Sequence, residues 1–331
     1  MRAPGFWSGG GGIAPLLLSP IAALYAGVTA RRVARPGWDA PVPVICCGNA
    51  TAGGAGKTTL ASDIASRLEQ AGTAAHVLLR GYGGRLKGPV RVDPEAHSAA
   101  DVGDEALILA ALHPTWVSAD REAGARAAIA AGAQAIVMDD GLQNPGLVKD
   151  LSLLTIDGTY GFGNGRIIPA GPLREPVAAA ASRCQAAVLI GADEAGAQAM
   201  LPPSLPVLQA RLVPGPEAAT LAGRSVFAFC GIANPGKFFA TLQESGAHMA
   251  GRATFADHYP YDDGDMETLL KEATALRATP VTTRKDFVRI PQKFRAAVTV
   301  VTIRLEWSEP RQIDALLEQA MGVVPQVELA R

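Results

Sequence analysis

The chain has 331 residues, 48% of them hydrophobic and 18% charged. That length suits about two domains of roughly 150 residues and excludes both a disordered chain and a small disulfide-stapled scaffold. Lys and Arg number 30 against 31 Asp and Glu, a net charge of −1 that argues against a general nucleic-acid binder. Cys46, Cys47, Cys184 and Cys230 show neither a C-x-x-C pair nor zinc spacing and read as buried, reduced thiols.

Residues 3–30 carry no charged side chain, after which Arg31, Arg32 and Arg35 arrive together. The first 40 residues hold four arginines against Asp39 alone, a local charge of +3. Leu17, Ile21, Leu24, Tyr25 and Val28 recur at helical spacing as one bulky face, with small residues filling the rest. A helix over 13–30 is about 27 Å long, close to the roughly 30 Å hydrocarbon core, although Pro20 would kink it. A cleaved signal peptide fits poorly, because its charged leader would be Arg2 alone and no clear cleavage site follows. A core helix of the first domain competes with a membrane anchor that spans the bilayer or lies at its interface. The anchor is preferred, because the arginines after the apolar run would hold the remaining chain on the cytoplasmic side. The glycines at 9–12 read as a flexible lead-in.

After Pro41, short apolar runs alternate with helical stretches. Strands are expected at 42–48, 75–80, 115–118, 134–138 and 151–156, and helices at 58–71, 105–112 and 120–131. This alternation predicts an α/β fold with a mostly parallel sheet covered on both faces. A Gly/Pro-rich stretch, 157–176, breaks the rhythm, and loops of that length are usually functional or disordered. An alanine-rich helix at 178–181 follows, then strands at 187–190, 207–212, 226–230 and 298–303 and helices at 235–245, 265–277 and 313–320. The expected division is a docking segment 1–40, a phosphate-loop domain 41–214 and a smaller α/β domain 215–331.

The sharpest chemical signal is Thr51-Ala52-Gly53-Gly54-Ala55-Gly56-Lys57-Thr58-Thr59, between a predicted strand and helix. Backbone N–H groups of such a loop, with the helix N-terminus, cradle phosphate oxygens. Lys57 would reach the β- and γ-phosphates, and Thr58 would put its hydroxyl on Mg²⁺. The usual motif has Gly where Thr51 stands. An acid to hold the metal is supplied where the apolar run 135–138 ends in Asp139 and Asp140, at the edge where open α/β sheets bind ligands. Asp104 and Glu105 open a predicted helix, which suits catalysis and helix capping equally. Asp257-His258 is ambiguous in the same way.

These motifs together resemble the tetraacyldisaccharide 4′-kinase family. The resemblance spans essentially the whole chain. It rests on Gly48-Asn49, the phosphate loop with its T-x-G-G-x-G-K-T form, Arg80-Gly81-Tyr82-Gly83, Gly103-Asp104-Glu105 and Asp139-Asp140-Gly141-Leu142-Gln143. It continues through Gly163-Asn164-Gly165-Arg166 and Pro169-Ala170-Gly171-Pro172-Leu173-Arg174-Glu175-Pro176. Gly231-Ile232-Ala233-Asn234-Pro235, Phe255-Ala256-Asp257-His258 and Thr282-Thr283-Arg284-Lys285-Asp286 complete it. The chain departs from the family pattern at Leu142, Asn144 and Ala106, so Asn144 is given no role.

The resemblance implies two α/β/α sandwich domains, an N-terminal membrane-docking helix and a cleft where ATP meets lipid. It implies transfer of the ATP γ-phosphate to the 4′-hydroxyl of an acylated glucosamine disaccharide 1-phosphate at the cytoplasmic face of the inner membrane, with no protein partner. Asp104 would take the hydroxyl proton with His258 paired to it, and Lys57 would neutralise charge on the transferred group. Thr58 and Asp139 would hold Mg²⁺, with Glu105 and Asp140 nearby. Tyr82, Arg174, Arg166 and Asn49 are the candidates for contacting phosphate or sugar. Two other classes compete: a phosphate-loop ATPase driving a membrane or protein partner, and a nucleotide-sensing membrane adaptor. A GTPase is disfavoured, because Thr283-Arg284-Lys285-Asp286 has the wrong order for reading guanine.

Overall fold

The computed structural model describes residues 4–9 and 12–322, so the glycine lead-in lies partly outside the described residues. A short 3-10 turn, Gly5–Ser8, precedes helix α1, Ala14–Val33. There follow β1 (Val44–Gly48), α2 (Lys57–Gln70), β2 (Ala75–Leu79), β3 (Val90–Arg91), α3 (Ala99–Val102), α4 (Asp104–Ala110), β4 (Thr115–Val117), α5 (Arg121–Ala130) and β5 (Ala135–Asp139). The chain continues through β6 (Leu151–Asp157), α6 (Val177–Ala181), β7 (Ala186–Ile190), β8 (Val207–Pro214), α7 (Pro216–Ala219), β9 (Ser225–Cys230), α8 (Pro235–Glu244) and β10 (His248–Thr254). Last come α9 (Asp263–Ala275), β11 (Thr279–Thr283), α10 (Arg284–Phe287), α11 (Gln292–Arg295), β12 (Thr299–Val301), β13 (Ile303–Trp307) and α12 (Pro310–Ala320).

Among the described residues the strands form two sheets, one of nine in the order β13-β8-β7-β6-β1-β5-β2-β4-β3 and one of four in the order β10-β9-β11-β12. Pairing is parallel except at the two edges of the larger sheet, where β13 and β3 run antiparallel. Strand period explains the layers. On β1, Ile45 and Cys47 join Leu60 and Ile64 of α2 on one face, while Val44 and Cys46 join Ala125 and Ala128 of α5 on the other. The smaller sheet repeats this, with α8 under Val226 and Ala228 and α9 under Phe227 and Phe229. Both units are therefore three-layered α/β/α sandwiches. The cysteines are all free and buried, and burial pushes the Cys46, Cys184 and Cys230 thiols up to about 12.

The chain does not leave the larger sheet once. After the smaller sheet is built, β13 returns to pair with β8, and Ile313 and Leu317 of α12 enter the core with Leu60 and Leu153. The expected range 215–331 thus contains a segment that belongs structurally to the larger sheet. The single strand expected at 298–303 is two, β12 in one sheet and β13 in the other, joined at Thr302. There Gly215 N–H donates to the Thr302 carbonyl at 2.9 Å, and the Glu217 carboxylate accepts from both the N–H and hydroxyl of Thr302. β10 and β11 carry no strong strand pattern: β10 alternates exposed and half-buried residues at an edge, and β11 contains Pro280.

Helix α1 presents its face in an unusual sense. Pro15, Ala22 and Thr29 are buried, whereas Leu17, Leu24 and Val28 are 73%, 71% and 57% exposed. Only 17% of its most apolar stretch is buried, which is inconsistent with a core helix. Pro20 stands within the helix without ending it, at the loss of one i→i−4 backbone hydrogen bond.

Candidate active site

In the larger sheet β5 and β6 leave β1 on opposite sides, and a crevice opens beyond the carboxyl ends of strands at such a switch point. The loop 51–56 lies at this place, and α2 begins at Lys57. Gly56 has φ +82 and a Cβ there would meet Ile190 Cδ1 at 2.7 Å, so the turn into α2 requires glycine. Gly53, at φ +132, has open space where a Cβ would be, as a backbone cradle for an anion needs.

Lys57 is buried and bends back to donate to the Gly53 carbonyl at 3.2 Å, with Asp140 Oδ1 at 3.8 Å. Burial pulls its ammonium below the ordinary value, opposed by the charge of Asp140. Thr58 donates its hydroxyl to Asp139 Oδ2 at 2.9 Å. Asp139 is buried, and burial pushes its carboxyl up to about 6. Its Oδ1 has no hydrogen-bond partner. A buried, unpartnered carboxylate oxygen beside a threonine hydroxyl fits a hard cation. Among the described residues no group of three or more His, Cys, Asp or Glu is arranged to hold a metal. Magnesium commonly takes only one or two carboxylates and fills the rest with water and phosphate, so the pair suffices.

Asp140 sits at φ 56, a left-handed position that few non-glycine residues adopt. Arg174 NH1 donates to its Oδ1 at 2.7 Å. Burial works against ionisation, but Lys57 and Arg174 outweigh it and hold the carboxyl below its ordinary range. Asp140 is thus a hub for two cations. Arg174 is presented by the loop 157–176, which is stapled to the phosphate loop. Ala52 N–H donates to the Pro172 carbonyl and Arg174 N–H to Ala50, both at 2.7 Å. Beneath them, Gln143 donates to the Asn49 carbonyl at 2.8 Å and to Glu175 at 2.9 Å, and accepts from Arg174 at 3.2 Å. Asn49 donates to Thr51 Oγ1 at 3.1 Å, so it supports the loop from below.

The second half of the site comes from α4 and the smaller sheet. Gly103 precedes α4 at φ +89, where a Cβ would stand 2.3 Å from the Tyr82 carbonyl. That close approach fixes Asp104 in the first turn, buried. His258 reaches across from the smaller sheet, its Nδ1 2.8 Å from Asp104 Oδ2, with its own backbone at φ 60. Glu105 lies close enough for its charge to act on Lys57 and Asp139. Lys57, Thr58, Asp139, Asp140 and Arg174 thus form one connected group, and Asp104 and His258 form a pair at the start of α4. Tyr82 is beside it at Gly103 but is 84% exposed. Arg166 is elsewhere: its guanidinium approaches Ser19 of α1 at 3.4 Å. Ala55 is packed into the loop, and Thr59 follows Thr58 on α2.

Three groups lack a signal in the sequence pattern. Arg289, on the segment after α10, stands 3.4 Å from Asp104 Oδ2. Arg183 holds Glu175 with both carboxylate oxygens, at 2.7 and 2.8 Å. Arg121, at the start of α5, is buried with its Nε unpartnered, and burial draws its guanidinium down to about 10.

Comparison with known proteins shows the family. The family model for tetraacyldisaccharide-1-P 4′-kinase matches residues 14–322. A tetraacyldisaccharide 4′-kinase of Gluconacetobacter diazotrophicus is 56% identical over 319 residues, covering 96% of this chain and 98% of its own. Those of Rhodospirillum centenum and Rhodospirillum rubrum are each 53% identical, covering 96% and 98% of this chain and 96% and 100% of their own. Among solved structures, the "apo" form of LpxK from Aquifex aeolicus in complex with ATP superposes with a TM-score of 0.75 at 24% identity. It covers 93% of this chain and 99% of that one, and shares the fold. With the phosphate loop, the paired acids and the long loop all inside the matched span, the chain belongs to the tetraacyldisaccharide 4′-kinase family.

Proposed function

We propose that the protein transfers the γ-phosphate of ATP to the 4′-hydroxyl of a tetraacyldisaccharide 1-phosphate, giving the 1,4′-bisphosphorylated lipid, at the cytoplasmic face of the inner membrane. The observation that carries this reading is the pairing of Asp104 with His258 between α4 of the larger unit and the smaller unit. An ATPase needs no such second carboxylate–histidine pair for an acceptor hydroxyl.

The triphosphate lies on the backbone N–H groups of the loop 51–59, where the α2 N-terminus adds about half a positive charge. Lys57 and Arg174 compensate charge that builds on the transferred group. Thr58 and Asp139 would hold Mg²⁺, with Glu105 and Asp140 nearby, and a bound ion would supply charge neutralisation at phosphate oxygens. Asp104 accepts the 4′-hydroxyl proton, and His258, with its proton on Nδ1, holds Oδ2 of that carboxylate. Tyr82, which is exposed, is available to the sugar or phosphate, while Asn49 acts from beneath by holding the phosphate loop.

The lipid side of the site is supported by α1. Each buried methylene of an acyl chain contributes roughly 0.8 kcal/mol, so a tetraacyl substrate stays in the bilayer and the enzyme must come to it. The exposed Leu17, Leu24 and Val28 face and the following Arg31, Arg32 and Arg35 suit an anionic membrane surface. Arg166 joins Ser19 of α1 to the loop that carries Arg174, so a cation on that loop lies beside the helix read as the membrane contact.

The test is transfer of labelled phosphate from Mg-ATP to a tetraacyldisaccharide 1-phosphate in mixed micelles, with wild type and Asp104→Ala. A bisphosphorylated lipid from wild type and a loss of about a hundredfold in the variant are expected. Free phosphate without labelled lipid would replace the kinase by an ATPase. Nucleotide binding without either product would leave an adaptor.

A further inference from the structure

Asp104 is met by two nitrogen-bearing side chains from the smaller unit, and His258 is one of them. Arg289 is the other, with its Nε 3.4 Å from the same oxygen, Oδ2. The side chains of Arg289 and Asp104 are 5% and 8% exposed, so this is a buried pair across the boundary between the two sandwiches. It is a contact of charge and not a hydrogen bond, because the Nε–H of Arg289 donates to the Lys285 carbonyl at 3.0 Å.

The remaining donors of Arg289 are also taken up within its own unit. NH1 donates to the Tyr259 carbonyl at 3.1 Å and NH2 to the Gly231 carbonyl at 3.3 Å. NH2 also reaches Asp286 Oδ1 at 3.3 Å. Asp286 is fully buried and held by the Gly231 N–H, the Tyr261 hydroxyl and the Thr283 hydroxyl. Four groups thus clamp the guanidinium before Asp104 is considered. A cation fixed in this way needs no reorganisation when the carboxylate arrives. His258, by contrast, is 54% exposed and stands on a left-handed backbone.

We propose that Arg289 is a positioning residue for the transfer reaction. It is a preset charge on the smaller unit that fixes Oδ2 of Asp104 when the two units meet. Oδ1, which takes no hydrogen bond among the described residues, is then left for the acceptor hydroxyl. The inference rests on the assignment of Asp104 as the base. Its content is that the base is assembled from both units, with Arg289 supplying the fixed part and His258 the accessible part.

The experiment uses the full-length enzyme in the mixed-micelle assay with Arg289→Gln and Arg289→Lys. Glutamine keeps donors for the carbonyl collar without the charge; lysine keeps the charge. The glutamine variant is expected to lose about fiftyfold in kcat with KM for ATP nearly unchanged and a melting temperature lowered but still above the assay temperature, while lysine stays within about fivefold of wild type. In an Asp104→Ala background, Arg289→Gln is expected to cost less than about twofold, since the group it positions is gone. Equal activity of the two Arg289 variants, an additive loss in the Asp104→Ala background, or unfolding of the glutamine variant would overturn the proposal and leave Arg289 a structural pin. If wild type labels no lipid, the kinase reading fails first, and that outcome is visible before any variant is compared.

Discussion

Asp139 is the residue where folding and function pull in opposite directions. It is 4% exposed, and its Oδ1 is unpartnered. Burial raises the carboxyl from 3.8 to about 6. The native state therefore keeps a proton that the unfolded chain has already released, so without a divalent ion stability falls as pH rises from about 4 through about 6. The full loss is about 3 kcal/mol and is constant above that window. Asn in its place carries no charge and still accepts from Thr58. Asp139→Asn is expected to melt above wild type in EDTA at pH 8, by a margin that shrinks toward pH 5, and to have lost transfer activity. Magnesium should raise the wild-type melting temperature and leave the variant's unmoved. A margin independent of pH would show that the Asp139 charge is not buried as described.

At the scale of elements, the loop 157–176 is rigid for a reason that its composition hides. Glu175, 3% exposed, binds Arg183 through both carboxylate oxygens and accepts from Gln143. It thereby ties α6 to the element after β5 and holds Arg174 over Asp140. Glu175→Ala leaves Gln143 and Arg183 without their partner and is expected to destabilise by about 2 kcal/mol, with KM for ATP raised. Chemical unfolding at unchanged m-value checks the first, steady-state kinetics the second. This network also marks the limit of reading elements from sequence. The phosphate loop, the acids after β5 and the helix at Asp104 are local signals, where turn chemistry and apolar period fall within a dozen residues, and the structure places them as expected. The role of Glu175 is not local, because it depends on which strand lies beside β1. Likewise Arg289 acquires meaning only when α10 comes to lie against α4. β10 has Thr254 as its one β-branched residue and β11 is interrupted by Pro280, and the return of β13 to the larger sheet is a choice of partner that no pattern within 298–307 records.

At the scale of the molecule, the large apolar residues of α1 face outward while Ala22 and Thr29 face the protein, and this decides what kind of contact the helix makes. A helix folded for its own core does the reverse. The face is coupled to the site by one continuous path. Trp7 Nε1 donates to the Pro169 carbonyl at 3.1 Å, Asn164 donates to the Phe6 carbonyl at 2.9 Å, and Arg166 reaches Ser19. The segment so held runs directly into Arg174 at Asp140. On the proposed function, docking of α1 on a bilayer would be coupled through this path to the position of Arg174. Leu17→Ser with Leu24→Ser removes two exposed side chains, so the melting temperature in detergent-free buffer is expected to stay within about a degree. Each leucine loses roughly 1.5 kcal/mol of insertion, so partition into anionic vesicles should fall by about a hundredfold. Transfer to lipid in vesicles should fall with it, while transfer to a short-chain soluble analogue should be retained. Ala22→Leu makes the opposite change, crowding the inner face, and is expected to lower the melting temperature while leaving vesicle partition intact. If the serine pair melted early and bound vesicles as before, α1 would be a packing element and the lipid would have to reach the cleft by another face.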